Sequence, residues 1–250
     1  MSEAEPSAGQ PWLVVSDVDE TLTGDVNALK ALALAINRDR KRLRFFLNSS
    51  RPLASVLKTL TGDFPRGFAP DGVISALGTE ILVGQVRLTD WEARFATWPH
   101  RQIFDLLTSL GHRPHDPELQ TSSKVSFAVP RGAAQREVRE ALIDAGIACQ
   151  IIVSGVDDLD VIPPQAGKGA ATLHLAKVLD VDPNRLIVAG DSGNDVALFE
   201  VARRGIAVAN AHGELLEQLD KRDFYLAKKP HAAGVLEGLV HYSVLSAGSA

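Results

Sequence analysis

Short apolar runs alternate with amphipathic stretches along most of this chain. Residues 12–17 (WLVVSD) form an unbroken apolar run ending in a carboxylate, the pattern of a strand buried on both faces of a parallel sheet. Residues 26–38 (VNALKALALAINR) predict a helix, and 44–48 (RFFLN) a second buried strand. Pro52 suits the first turn of a helix over 53–61, and 72–76 (GVISA) predicts a third strand. After a long middle section the alternation resumes, with helices over 169–179, 195–203, 213–220 and 232–240 and strands over 185–189, 206–209 and 223–227. Strands alternating with helices predict an α/β fold built on a doubly wound parallel sheet.

The middle section has another texture. Trp91, Phe95 and Trp98 share one face of a helix expected to continue to Leu110, with the aromatic stripe in the core of its own unit. Residues 123–129 (SKVSFAV) alternate like a strand with one wet face, a helix is expected over 132–145, and strands over 148–153 and 159–162 end at Pro163-Pro164. The expectation is a Rossmann-like core of residues 1–81 and 164–250, interrupted by an α+β cap domain over 82–163, with hinges near 78–82 and 162–167.

Composition narrows the class. Of the 250 residues, 45% are apolar and 23% charged, as in folded globular proteins. A net charge of −5 argues against a nucleic-acid or anionic-membrane partner, and the basic run 39–44 (DRKRLR) reads as a solvated helix end or strand entry. The single cysteine, Cys149, has no intrachain partner and reads as a packing residue. Residues 1–11 lack the basic and apolar regions of a secretory signal, and no apolar run approaches the roughly 18 residues of a membrane span. A cytoplasmic protein is expected; the sequence leaves its oligomeric state open.

In a parallel sheet the crevice lies beyond the carboxyl ends of the strands. Those ends carry SDVDET (16–21), NSSRP (48–52) and GDSGND (190–195), and QAGKG (165–169) puts Lys168 just before a helix. Each is weak alone. Together, Asp17, Asp191 and Asp195 in one crevice would repel by roughly 4 kcal/mol per pair at about 4 Å and an effective dielectric near 20, so a cation must compensate. With no cysteine or histidine beside them, hard oxygen donors favour Mg²⁺, which commonly shares its sphere with a substrate phosphate. Lys168, Ser49, Ser50 and helix-start amides complete a site for a phosphoryl group.

The set DVDET (17–21), SSR (49–51), GKG (167–169) and GDSGND (190–195), in that order, resembles the four motifs of the haloacid dehalogenase superfamily of phosphatases. More narrowly, SALGTEI (75–81), KVSF (124–127) and LDVIPPQAGKG (159–169) resemble its sucrose-phosphatase-like branch. The resemblance implies a Mg²⁺-dependent phosphatase of a sugar phosphate, such as sucrose 6-phosphate, in which Asp17 attacks phosphorus and Asp19 serves as acid and then base. It further implies that Thr21 braces Asp19, that Thr21, Ser49, Ser50, Lys168 and Asn194 line the phosphate pocket, and that metal sits on Asp17, Asp19, Asp191 and, through a water, Asp195. In the second motif Ser50 stands where the family usually has Gly. Glu80 at the hinge and Lys124 and Ser126 on the cap strand are expected to touch the sugar, and His112 and His115 to be exposed and structural. A phosphomutase of the same superfamily, or a phosphatase of an aminosugar phosphate of the kanosamine type, fits the same motifs. A receiver-type signalling module would need neither Asp19 nor a cap, and a DxD glycosyltransferase would lack Lys168 and GDSGND.

Overall fold

The computed structural model describes residues 10–219 and 224–246. In chain order the elements are β1 (Trp12–Ser16), α1 (Val26–Arg38), β2 (Leu43–Asn48), α2 (Leu53–Gly62), β3 (Gly72–Ser75), β4 (Glu80–Val83), β5 (Val86–Arg87), α3 (Thr89–Glu92), α4 (His100–Ser109), β6 (Arg113–Pro114) and β7 (Val125–Ala128). They continue with α5 (Ala133–Asp144), β8 (Gln150–Ser154), β9 (Asp158–Ile162), α6 (Lys168–Val178), β10 (Leu186–Gly190), α7 (Val196–Glu200), β11 (Arg204–Ala207), α8 (Gly213–Leu219), β12 (Tyr225–Leu226) and α9 (His231–His241).

Two sheets form. The large one has the order β12-β11-β10-β1-β2-β3-β4-β5, parallel from β12 to β3 and antiparallel beyond. The unbroken apolar run at β1 is explained by burial on both sides: Val14 joins a core with α1 and α9, while Leu13 and Val15 join the opposite core with α6, α7 and α8. Helix α1 has the expected span, its first amides at Asn27 and Ala28 capped by the Asp25 carboxylate. The small sheet, β6-β7-β9-β8, is wholly antiparallel and packs Val125, Phe127, Leu159 and Val161 against α4 and α5.

Several expectations are corrected. The aromatic helix is broken: α3 and a 3₁₀ turn at Ala93–Phe95 end before Pro99, and α4 starts afresh at His100. Pro99 removes an amide donor and disfavours helical backbone at Trp98. The stripe is split accordingly, with Trp91 and Phe95 in the core of the large sheet and only Trp98 against the small one. Residues 82–95 therefore lie with the large sheet rather than with the insert, because β4 and β5 extend it and the Trp91 indole donates to the Gly78 carbonyl at 2.9 Å. The helix expected over 195–203 ends at Glu200, and the expected ends at 220 and 223 lie outside the described residues. The basic run does lead from the end of α1 into β2 with Lys41 and Arg42 exposed, and it is also tied down, Arg40 pairing with Asp71 at 2.9 Å and Arg42 donating to the Ser243 carbonyl at 2.7 Å. Cys149 is half-buried against the small-sheet core, where burial pushes its thiol up. Among the described residues no helix is long and apolar enough to cross a membrane.

Gly78 is where close packing and backbone conformation coincide. Its φ is +82°, and a Cβ there would come within 2.2 Å of the Gly167 carbonyl oxygen, at the start of α6. Gly78→Ala is expected to cost about 2–4 kcal/mol in denaturant unfolding, from left-handed strain plus overpacking against backbone; an unchanged midpoint would mean that this contact relaxes freely.

Candidate active site

The order of the large sheet reverses at β1, which lies between β2, next in the chain, and β10, from its far end. A crevice opens beyond the carboxyl end of such a strand. Asp17 follows β1, Ser49 follows β2 and Asp191 follows β10, so residues far apart in sequence share one edge. The Asp17 amide continues the ladder by donating to the Ala189 carbonyl at 2.9 Å, which holds its side chain at the mouth.

Three buried carboxylates converge there. Ligand oxygens of Asp17, Asp191 and Asp195 lie within 4.8 Å of one another. The Lys168 ammonium, also buried, donates to Asp17 Oδ1 at 2.6 Å, Asp195 Oδ1 at 2.6 Å and Asn194 Oδ1 at 2.7 Å. Its three protons are thereby used. Asp195 Oδ2 accepts from the amides of Asp191 and Ser192 at 3.0 and 3.2 Å, closing the loop after β10 on itself. Burial pushes the Asp17 carboxyl up, aided by Asp195 and Asp191 and opposed by Lys168. Asp191 is pushed up to about 6, by burial first and then by Asp195. Burial would lower the Lys168 ammonium, but the charges of Asp17 and Asp195 prevail and hold it raised.

The loop of the second motif is held by unusual backbone. Ala76 and Leu77 both adopt left-handed conformations (φ 48° and 54°), and their amides donate to the carbonyls of Arg51 at 2.7 Å and Ser49 at 3.2 Å. Ser49 is fully buried, and its hydroxyl accepts from the Arg51 amide at 3.1 Å, leaving its own proton for an incoming oxygen. Ser50 has no positive φ, so the usual Gly can be replaced here without backbone strain. The left-handed pair was not anticipated, since neither residue type signals that conformation.

Other site expectations change. Asp19 is not among the clustered carboxylates; it is half exposed (51%) and pairs with Arg51 Nε at 2.9 Å. Thr21 braces Asp191 instead of Asp19, its hydroxyl donating at 2.8 Å, and so supports the acid cluster. Asp195 also takes Lys168 as a direct partner, a contact the motif spacing did not indicate. Glu80 takes a structural part: its carboxylate accepts from the Leu53 amide at the start of α2 at 3.0 Å, from Ser75 Oγ at 2.9 Å and from Arg87 at 3.2 Å.

The face of the small sheet expected to be wet is buried instead, Lys124 at 4% and Ser126 at 1% exposure. Lys124 pairs with Asp160 at 2.8 Å, and Ser126 hydrogen-bonds both. This polar face turns toward the large sheet. It lines a half-open cavity of about 210 Å³ with Ser50 and Arg51 on the other wall, and His115, whose Nε2 lies 2.9 Å from Asp158, lines it too. His115 was expected to be merely structural, and its sequence context, without further ligands nearby, carried no signal of this. His112 remains outside the cavity lining. Arg131 on the small-sheet side hydrogen-bonds Glu214 in α8, tying the two halves together.

A mostly parallel sheet faced by a second, smaller sheet is the fold shared with solved phosphatases of the haloacid dehalogenase superfamily. The model of the sucrose-6F-phosphate phosphohydrolase family matches residues 10–243, and the chain belongs to that family. It is 33% identical to sucrose-phosphatase 2 of Nicotiana tabacum over 92% of its own length but only 58% of that relative's. It is 31% identical to mannosylfructose-phosphate phosphatase of Agrobacterium fabrum over 93% of this chain and 97% of the other. The solved structure of the sucrose-phosphatase from Synechocystis sp. PCC6803, in complex with sucrose and phosphate, superposes with a TM-score of 0.85 at 30% identity, covering 95% of this chain and 100% of that one.

Removing the cation from the cluster tests its balance. Lys168→Met is expected to destabilise the protein by about 3–5 kcal/mol in denaturant unfolding without divalent metal, because it strands buried carboxylates. A loss below about 1 kcal/mol would mean that the cluster is neutralised without it.

Proposed function

We propose that this chain is a phosphoric monoester hydrolase acting on a disaccharide phosphate of the sucrose 6-phosphate type, through an aspartyl phosphate on Asp17. The observation that carries the reading is the juxtaposition of the Asp17–Asp191–Asp195–Lys168 cluster with a polar cavity, the Arg51–Asp19 pair bridging them. The names of the relatives support the substrate class, sucrose and mannosylfructose both being fructose-linked disaccharides. The segment between Phe95 and Pro163 would act as a cap that reads the sugar, with Lys124, Ser126, Asp160 and His115 supplying donors and acceptors. A cytoplasmic location is part of the reading, supported by a composition with one cysteine.

The donor set fits Mg²⁺. Every candidate ligand is a carboxylate oxygen, and among the described residues no hydrogen bond reaches Asp17 Oδ2 or Asp191 Oδ2. Held on Asp17, Asp191 and Asp195, the ion would neutralise charge on the phosphoryl oxygens and stabilise the ionised carboxylates. In the first half-reaction a carboxylate oxygen of Asp17 bonds to phosphorus while the bond from phosphorus to the sugar oxygen breaks, and Asp19 gives that oxygen its proton. In the second, Asp19 takes a proton from water as the water oxygen bonds to phosphorus and the bond to Asp17 breaks, releasing inorganic phosphate and restoring both carboxyl groups. Ser49 donates to a phosphoryl oxygen, and Lys168 can redirect the N–H it donates to Asn194 Oδ1 toward another while remaining an ammonium. Closure of the cap side would keep water from the first step.

Released phosphate, measured over a panel of phosphorylated sugars, is the direct test; transfer of the phosphoryl group to a second sugar hydroxyl without its release would make the chain a mutase. Asp17→Asn is expected to abolish turnover, and Asp19→Asn to slow it by about 10²–10⁴. Chelation should remove activity and added Mg²⁺ restore it; full turnover in excess chelator would overturn the metal assignment. Lys124→Ala should lower kcat/KM for the preferred sugar phosphate by about 10–100-fold while changing p-nitrophenyl phosphate turnover little. Equal losses on both would remove Lys124 from sugar recognition.

A further inference from the structure

The loop that carries Asp19 is held by a device separate from both the acid cluster and the cavity. Glu20 has a left-handed backbone, φ 59°, a conformation more readily held by Gly or Asn. Its carbonyl accepts two hydrogen bonds, from Asn210 Nδ2 at 2.8 Å and from His231 Nδ1 at 2.8 Å. A carbonyl only accepts, so His231 carries a proton on Nδ1. His231 is itself left-handed, φ 51°, and its amide donates to Asn210 Oδ1 at 2.9 Å, closing a small ring of contacts. Its imidazole lies against Gly24, where a Cβ would come within 2.6 Å of the ring.

Asn210 follows β11 and His231 opens α9, so both reach Glu20 from nearly the other end of the chain. Upstream of Asp19, the Val18 carbonyl accepts from the amides of Leu22 and Thr23 at 2.9 and 3.0 Å. Asp19 is thus flanked by two pinned peptides while its own carboxylate meets Arg51 at the cavity wall. Two strained residues in mutual contact, both outside the core packing, indicate a position that the fold enforces.

We infer that Asn210 and His231 are positioning residues that aim Asp19 at the leaving-group oxygen by clamping the Glu20 carbonyl. The inference rests on the acid role proposed for Asp19. It separates from a merely structural role by leaving group: proton donation matters for a poor leaving group and little for a good one, and kcat/KM reports the step in which that group departs.

The experiment compares kcat/KM for phenyl phosphate and p-nitrophenyl phosphate, closely similar in shape but unlike in leaving ability, in the wild type and in Asp19→Asn, His231→Ala and Asn210→Asp. The last keeps the acceptor for the His231 amide and removes the donor to Glu20. Asp19→Asn should lose far more on phenyl phosphate. His231→Ala and Asn210→Asp should share that bias more weakly, losing about 10–100-fold on phenyl phosphate, the scale of a misplaced catalytic group, and less than about 2-fold on p-nitrophenyl phosphate, whose turnover also reports that the variants fold. Bias in Asp19→Asn with equal or no losses in the other two would overturn the positioning inference alone. Absence of bias in Asp19→Asn would overturn the acid reading and the inference with it.

Discussion

The buried ammonium of Lys168 is the constraint around which the site is arranged. Carboxylates brought together at the end of a parallel sheet would repel, and Lys168 permits Asp17 and Asp195 to share one small volume by donating to both. That role in turn fixes where α6 begins. The helix start is held by Gly78 against Gly167, and by Asn48, whose amide donates to the Lys168 carbonyl and to Thr172 Oγ1 at 3.3 Å each. The same ends of β2 and β3 carry the loops around Ser49 and Ala76, so displacement of α6 would move the cation and those loops together.

The second sheet supplies what an open crevice lacks. Its apolar face is spent on α4 and α5, leaving a face of charged and hydroxyl groups that would be costly to bury without mutual hydrogen bonds. Lys124, Ser126 and Asp160 satisfy one another, and the cavity between them and Arg51 stays polar. Arg51 is anchored on the large-sheet side, its guanidinium meeting Asp19 and Thr59 in α2 at 2.9 Å each, and from there it lines the cavity. The Arg131–Glu214 pair across the two halves is partly exposed, which makes it a weak tie. Such a contact can open and close.

Most elements of the large sheet were legible because each rests on local signals. A both-faces-buried strand must read as continuous apolar residues, as 12–17 and 44–48 do, and α1 has the span its periodicity predicts. The motif residues were legible for a related reason: residues just beyond the carboxyl ends of parallel strands border the crevice. Asp17, Ser49, Lys168, Asp191 and Asp195 are all there. The aromatic stripe misled because helical spacing is read in one dimension, and Pro99 divides it between two cores.

Local sequence sufficed for the alternation of strands and helices, for the acid cluster with its lysine, and for the two-faced character of the strand at 123–129, though not for the burial of its polar face. Which partner each polar group takes was decided only by the tertiary structure. Thr21 to Asp191, Asp19 to Arg51, Glu80 to the start of α2 and His231 to Glu20 are all pairings set by distance across the sheet edge. A hydrogen bond depends on a few tenths of an ångström and on direction, and neither is encoded in the spacing of residues that lie as much as 211 positions apart along the chain.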